Sequence, residues 1–233
     1  MRFTVFTPTY NRGYIIENLY HSLQRQSFCD FEWVVVDDGS TDQTEALFQG
    51  FQKDDNPFSI RYFKTSNGGK HRAINLGVTV AEGELFFIVD SDDYLTDDAL
   101  ENADIIECSI PQEEKSKFGG ICGQRGHSIN DAIGTTFEGN ILDITMLNRP
   151  EHGITGDKAE IFYTKLLKQY PFPEFAGENF ITECVVWDTI AADGFLLRFY
   201  NKIAIICDYL PDGLTAKGKS LLLENPRGYG LYL

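Results

Sequence analysis

The sequence has no pair of cysteines spaced C-x-x-C, no apolar run that could span a membrane, and too few basic residues to balance its acids. Its five cysteines, Cys29, Cys108, Cys122, Cys184 and Cys207, are odd in number and scattered. That usage argues against a disulfide framework or a zinc ribbon and fits reduced thiols in a cytoplasmic protein. The purest apolar run, Leu85-Phe-Phe-Ile-Val89, falls far short of the ~20 residues a bilayer requires. Peripheral contact with the inner face of a membrane needs no such run and stays open. Met1-Arg-Phe-Thr-Val leads directly into a strand pattern, without the apolar stretch of a signal peptide. With 20 Lys+Arg against 35 Asp+Glu, the formal charge is −15. Such a charge repels phosphate backbones, which argues against nucleic acid as a partner.

What is present is an ordinary globular composition, 42% hydrophobic over 233 residues, enough for one sizeable core. Residues 3–7 alternate as a strand that Pro8-Thr-Tyr-Asn-Arg12 breaks, and Ile15, Ile16, Leu19 and Leu23 follow at helical spacing. Trp33-Val-Val-Val36 reads as a strand buried on both faces. Ser40-Thr-Asp-Gln43 has the form of a capping box, so a helix is expected there with Ala46, Leu47 and Phe51 inward. Residues 60–63 read as a third strand, 70–82 as a helix stopped by Gly83, and 85–89 as a fourth strand. The alternation predicts an α/β fold: a doubly wound, mostly parallel sheet with right-handed crossovers.

After Glu107 the pattern loosens. Glycines at 119, 120, 123, 126, 134 and 139 predict short strands and turns. Residues 158–169 read as helical, 170–177 as extended around two prolines, 182–192 as helical and 203–207 as a strand. No repeat or linker divides the chain. It is expected to form one domain, 1–233, with a ligand-binding half over 1–105 and a looser half over 106–233. The end, Asn225-Pro-Arg-Gly-Tyr-Gly-Leu-Tyr-Leu233, is abrupt, as expected where a further helical piece follows.

Ligands in doubly wound sheets sit beyond the carboxyl ends of the strands, and three polar segments fall there. Asp90-Ser-Asp-Asp93 would put three carboxylates at a strand end, where they repel one another unless a cation intervenes. Mn²⁺ or Mg²⁺ takes one or two carboxylates together with diphosphate oxygens; a solvated acidic turn accounts for the same residues. In Asp37-Asp-Gly-Ser-Thr-Asp42 one carboxylate could accept from a base N–H or a ribose hydroxyl, though a capped strand-to-helix turn is commonly built this way. Tyr10 offers a face for stacking a base, or packs into a turn. Asn67-Gly-Gly-Lys-His-Arg72 opens a helix with mobile glycines and three potentially cationic side chains, Lys70, His71 and Arg72, a place for a diphosphate, but without P-loop spacing.

In this order and spacing, Thr7-Pro-Thr-Tyr-Asn-Arg12, Val36-Asp-Asp-Gly-Ser-Thr-Asp42, Asn67 to Ala81 with Glu82-Gly-Glu84, and Val89-Asp-Ser-Asp-Asp93 resemble the family 2 glycosyltransferases. The resemblance continues more thinly through residues 172–178, 182–187 and 212–215. It implies a GT-A fold and an inverting single displacement from a nucleotide-sugar donor, probed first as a UDP-sugar, to a saccharide or glycolipid acceptor. By that resemblance the donor is bound through Thr7, Pro8, Tyr10, Arg12, Asp38, Lys70, Asp90 and Ser91, with Asp38 at the base, Tyr10 stacking on it and Asp90 near the ribose. Asp92 is the metal ligand. The family's late Glu-Asp pair is not intact: aligning on Trp187 places Thr182-Glu183 there, so Glu183 is the expected catalytic base and Glu178 its rival. The runner-up is a nucleotide-sugar-binding protein of the same fold without turnover. A phosphoacceptor domain is disfavoured because its paired aspartates end the first strand, and here the pair ends the second. The sequence assigns no particular sugar, acceptor or oligomeric state.

Overall fold

A computed structural model describes residues 1–208, 210, 212–213 and 218–232 of the chain. The expected alternation runs β1 (Phe3–Thr9), α1 (Glu17–Gln24), β2 (Phe31–Asp37), α2 (Thr44–Phe51), β3 (Ser59–Lys64), α3 (Lys70–Val80) and β4 (Leu85–Ile88). Then come β5 (Asp93–Leu95), α4 (Ala99–Cys108), β6 (Phe118–Ser128), β7 (Asp131–Ala132), β8 (Ile141–Ile144) and β9 (Lys158–Tyr163). The last elements are α5 (Thr164–Leu167), α6 (Cys184–Ala192), β10 (Leu196–Cys207), α7 (Lys219–Leu223) and α8 (Pro226–Tyr232).

One sheet runs through both halves in the order β3-β2-β1-β4-β9-β6-β10-β5. Its first four strands are parallel, as the βα alternation requires. β9 then pairs antiparallel with both β4 and β6, and β10 returns parallel to β6. The period-2 alternation of each strand divides the core between two faces. Phe3, Val5, Trp33, Val35, Leu85 and Phe87 meet Leu19 and Leu23 of α1, Phe48 and Phe51 of α2, and Leu100 of α4. Phe6, Val34, Val36, Phe86 and Ile88 meet Ala73, Ile74 and Val78 of α3 and Val186 and Trp187 of α6. Helices therefore cover both faces, and the sheet is doubly wound.

Gly77 lies where α3 presses on β1. A Cβ there would stand 2.1 Å from the Phe6 ring, which stacks on Phe86 with centroids 5.1 Å apart. Gly77→Ala is expected to overpack this contact at a cost of about 1–3 kcal/mol. For a chain of this size the melting temperature should fall by roughly 2–12 °C. An unchanged melting temperature in calorimetry would show that the helix can shift without penalty.

Four sequence expectations are corrected. Residues 158–163 are a strand, and only α5 is helical in the stretch 158–169. Ala159 and Ile161 face one core and Phe162 the other, so burial between β4 and β6 overrides the local helical pattern. The glycines of 119–126 lie within the single long strand β6, flanked by β9 and β10; the space left by Gly123 is taken by the Tyr200 ring. The capping box at Ser40 does not form. Asp42 accepts from the Thr44 N–H instead (3.0 Å), while Ser40 Oγ accepts from the Asn11 N–H (2.8 Å). α2 consequently buries Thr44, Phe48 and Phe51 and leaves Ala46 exposed. Finally, β10 begins at Leu196, well before residue 203. No helix among the described residues is long and apolar enough to cross a membrane.

Candidate active site

The carboxyl ends of β1, β2 and β4 lie side by side, with Thr9 in register with Asp37. Hydrogen bonds join the loops that leave them. Asn11, at φ 52°, accepts from the Thr41 N–H through Oδ1 (2.8 Å), and Asp42 accepts from the Gly13 N–H (3.0 Å). Asp37 is fully buried; its carboxylate accepts from the Ser40 N–H (2.7 Å) and from the Tyr62 hydroxyl, so it shapes the turn.

Asp38, next along, gathers the loop before α3. Its two oxygens accept from the Gly68 and Gly69 N–H groups at 2.7 and 2.8 Å, and its carbonyl accepts from Asn67 Nδ2 at 2.9 Å. Gly69 is required by its φ of 98° and because a Cβ would stand 1.9 Å from the Asn179 carbonyl oxygen. Burial pushes the Asp38 carboxyl up; the two glycine amides oppose this only in part. A cleft of about 420 Å³ opens here, lined by Asp38, the 65–68 loop, Arg72 and Asn179.

In the third segment, the Asp93 N–H donates to the Asp90 carbonyl (3.1 Å), folding the run back on itself. Asp90 Oδ1 pairs with Lys70 Nζ at 2.7 Å, and its Oδ2 lies 3.8 Å from Arg125 Nη1. Arg125 pairs more closely with Asp93, at 2.9 Å. Burial raises the Asp90 carboxyl, but Lys70 and Arg125 outweigh it and hold it below its usual range. Burial pushes Asp93 up to about 7, against Arg125, and the neighbouring Asp90 and Asp92 add to the rise. Asp92 is also raised, first by burial and then by the charge of Asp90; its own backbone N–H and the charges of Arg12 and Lys70 compensate only partly.

Glu183 stands at the N-cap position of α6, but its side chain caps nothing. It pairs with Lys70 Nζ at 2.6 Å. One ammonium therefore joins the carboxylate at the end of β4 to the carboxylate at the start of α6. Burial alone would lower the Lys70 pKa; Asp90 and Glu183 reverse that and hold it well above the usual lysine range.

Several expected site residues are placed differently. Glu178 is 6% exposed, and its two oxygens accept from the Arg227 and Gly228 N–H groups at 2.9 and 2.8 Å. It caps α8 from a buried position. Thr7 is fully buried, its hydroxyl accepting from the Trp33 indole N–H (3.0 Å), and Pro8 is buried beside it in β1. These two shape the strand end and offer a donor no side chain. Ser91 is buried in the turn between the two aspartates. Tyr10 is 47% exposed at the rim, open to a stacking partner. Arg12 Nη1 pairs with Asp212 at 2.6 Å, and the Tyr14 hydroxyl donates to the same carboxylate at 2.9 Å. Of the cations after Gly69, only Lys70 meets the carboxylates. His71 is buried, and burial lowers its pKa, while Arg72 donates to the carbonyls of Phe175 and Glu178, both at 2.8 Å.

Sequence reasoning missed Arg125 and Asn225, and it offered Arg72 to a diphosphate, not to the carbonyls it binds. Asn225 Oδ1 accepts from the Asn179 and Phe180 N–H groups at 2.7 and 3.1 Å, fastening the loop that leads to Glu183. No local pattern marks these side chains, since each acts on a segment distant in sequence.

Among the described residues no three His, Cys, Asp or Glu side chains converge into a metal cage. The donor set fits a hard divalent cation held jointly by the protein and a ligand. Asp92 is an oxygen donor whose charge is under-compensated, while Asp90 is already paired with Lys70.

Residues 4–103 match the family described as Glycosyl transferase family 2. Over 105 residues the chain is 40% identical to the poly(ribitol-phosphate) beta-N-acetylglucosaminyltransferase TarS of Staphylococcus aureus, a match spanning 44% of this chain and 18% of that protein. Over 101 residues it is 39% identical to a GalNAc(5)-diNAcBac-PP-undecaprenol beta-1,3-glucosyltransferase of Campylobacter jejuni, across 42% of this chain and 32% of that one. The crystal structure of S. aureus TarS residues 1–349 superposes with a TM-score of 0.67 at 25% identity, over 96% of this chain and 65% of that one. The same fragment has been solved with UDP and with UDP-GlcNAc. The mannosyltransferase PcManGT of Pyrobaculum calidifontis, solved with GDP-Man and Mn²⁺, shares the fold at a TM-score of 0.60 and 23% identity, over 87% of this chain and 55% of that one. The chain thus spans under two thirds of each of these relatives. Residues 4–103 thus match glycosyl transferase family 2, and the chain carries them in an architecture that superposes on the GT-A structures of TarS.

Proposed function

We propose that this chain transfers a sugar from a UDP-sugar to a hydroxyl of a saccharide or glycolipid, inverting the anomeric centre in one displacement that uses Mn²⁺ or Mg²⁺. The observation that carries the reading is the Lys70 bridge: one ammonium pairs with Asp90 at the end of β4 and with Glu183 at the start of α6. Asp38 accepts from the uracil N3–H with the lone pairs its two amide partners leave free. Tyr10 stacks on the base, and Asp90 accepts from the ribose. Asp92 would hold the cation, which supplies charge neutralisation for the diphosphate as UDP departs. Glu183 takes the proton of the acceptor hydroxyl as its oxygen bonds to the anomeric carbon; the bond from that carbon to the β-phosphate breaks, and its electron pair leaves with UDP. The undecaprenol-linked saccharide in one relative's name supports a glycolipid acceptor. Such an acceptor suits a cytoplasmic chain in peripheral contact with the inner face of a membrane. One domain over 1–233 is proposed, donor binding in 1–105 and acceptor binding in 106–233.

Thermal unfolding of the protein with a panel of nucleotide sugars, with Mn²⁺ and with EDTA, tests the reading. UDP-sugars with Mn²⁺ should raise the melting temperature most. CDP-sugars should do less, because cytosine lacks the N3–H and leaves a buried acceptor unpaired, roughly a tenfold to hundredfold loss in affinity. Asp38→Ala should flatten that preference. No stabilisation by any nucleotide sugar would contradict the proposal, whereas stabilisation without sugar transfer would favour a binding protein of the same fold.

A further inference from the structure

We propose that Lys70 is an exchangeable ammonium: it holds Glu183 while the cleft is empty of donor and passes to the diphosphate when the donor binds, releasing the base only then. The proposal rests on reading the cleft as a nucleoside-diphosphate-sugar site and concerns how that site is regulated.

Lys70 Nζ lies 2.7 Å from Asp90 and 2.6 Å from Glu183, with side-chain exposures of 18%, 26% and 29% respectively. Two half-buried carboxylates thus share one positive charge, and the cluster is net negative before any ligand arrives. An ammonium has three donors, so the two carboxylates leave a third N–H for an incoming anion. As the structure stands, Glu183 is therefore held by Lys70 and is not free to turn to an acceptor hydroxyl. A diphosphate at the Asp90 side brings more negative charge and competes for the same ammonium, which sits on a flexible four-carbon stem.

The surroundings make exchange by the side chain more economical than movement of the backbone. Arg72 and Asn75, on the same helix as Lys70, bind the carbonyls of Phe175 and Glu178 (2.8 Å) and of Phe172 (3.0 Å). Behind Glu183, Asn225 and the Glu178 cap fasten the 178–180 segment to α8. α3 and the 172–180 segment that leads to Glu183 are thus tied together, which leaves the Lys70 side chain as the part free to swing. Arrival of the donor and release of the base become one event.

The experiment is calorimetric titration with UDP and Mn²⁺ of the wild type, Glu183→Gln, Lys70→Met and the double variant, each checked for folding by thermal unfolding. If Lys70 exchanges, removing the Glu183 charge frees it for the diphosphate, and Glu183→Gln should bind UDP roughly threefold to thirtyfold more tightly than wild type. In the Lys70→Met background the same change should give little gain. Plain repulsion between Glu183 and the diphosphate predicts the reverse, a larger gain once the ammonium is gone. Lys70→Arg keeps the charge and should keep the gain, which covers the case of a poorly folded Lys70→Met. Equal UDP affinity in wild type and Glu183→Gln, or a gain undiminished in Lys70→Met, would overturn the exchange alone. UDP bound by none of the four proteins would overturn the donor reading and the exchange with it.

Discussion

Glu183→Gln is expected to lose turnover by roughly 10²–10⁴-fold while binding UDP no more weakly than the wild type. A one-step displacement needs a proton acceptor on the face of the sugar away from the leaving diphosphate. The proposed reading puts Asp90 and Asp92 on the leaving side, and Glu178 is buried as the cap of α8. That leaves Glu183, which stands at the start of α6, a helix anchored by the buried Val186, Trp187 and Ile190. Glutamine fills the same volume and can still accept from Lys70, so the fold and the donor pocket should survive. Glu178→Gln makes the useful contrast. It weakens a charge-assisted cap, so it should lower the melting temperature and spare most of the turnover per folded molecule. A Glu183→Gln enzyme of near-normal rate beside a dead, folded Glu178→Gln enzyme would reverse the two roles.

Asp92→Asn is expected to remove the metal dependence of donor binding. Diphosphate and Asp92 repel each other unless a divalent cation lies between them, and Asp92 already carries more negative charge than its surroundings compensate. In the wild type, UDP at a hundred times its dissociation constant should add about 2.7 kcal/mol with Mn²⁺. That corresponds to a rise in melting temperature of roughly 5–10 °C. EDTA should abolish most of the rise. In Asp92→Asn the Mn²⁺ and EDTA curves should coincide, because the remaining carboxylates, Asp90 and Asp93, are paired with Lys70 and Arg125. A full Mn²⁺ effect in Asp92→Asn would place the cation on another ligand.

The donor side was largely legible in the sequence because its signals are local. Asp38, Asp90 and Asp92 each follow an apolar strand directly, and Lys70 opens a helix after two glycines, so parallel-strand topology alone brings them together. The candidate Glu183 was singled out through its spacing from Trp187, which packs on Phe162 of β9 with ring centroids 4.4 Å apart. Other features needed the tertiary structure. Glu178 looks like any acidic loop residue until residues 227 and 228 arrive to be capped. Arg125 meets Asp90 and Asp93 only because β10 and β5 bring β6 to that end of the sheet. β9 carries a helix-compatible pattern and becomes a strand because β4 and β6 leave a gap between them. Thr7 reads as a motif residue, yet its hydroxyl faces inward to Trp33.

The most direct test of the account follows a UDP-sugar that stabilises the protein by proton NMR, in the presence of Mn²⁺ and a panel of saccharide acceptors. The account predicts release of UDP and a first-formed product of anomeric configuration opposite to that of the donor, both nearly abolished by Glu183→Gln. Retained configuration, or release at wild-type rate in Glu183→Gln, would contradict it.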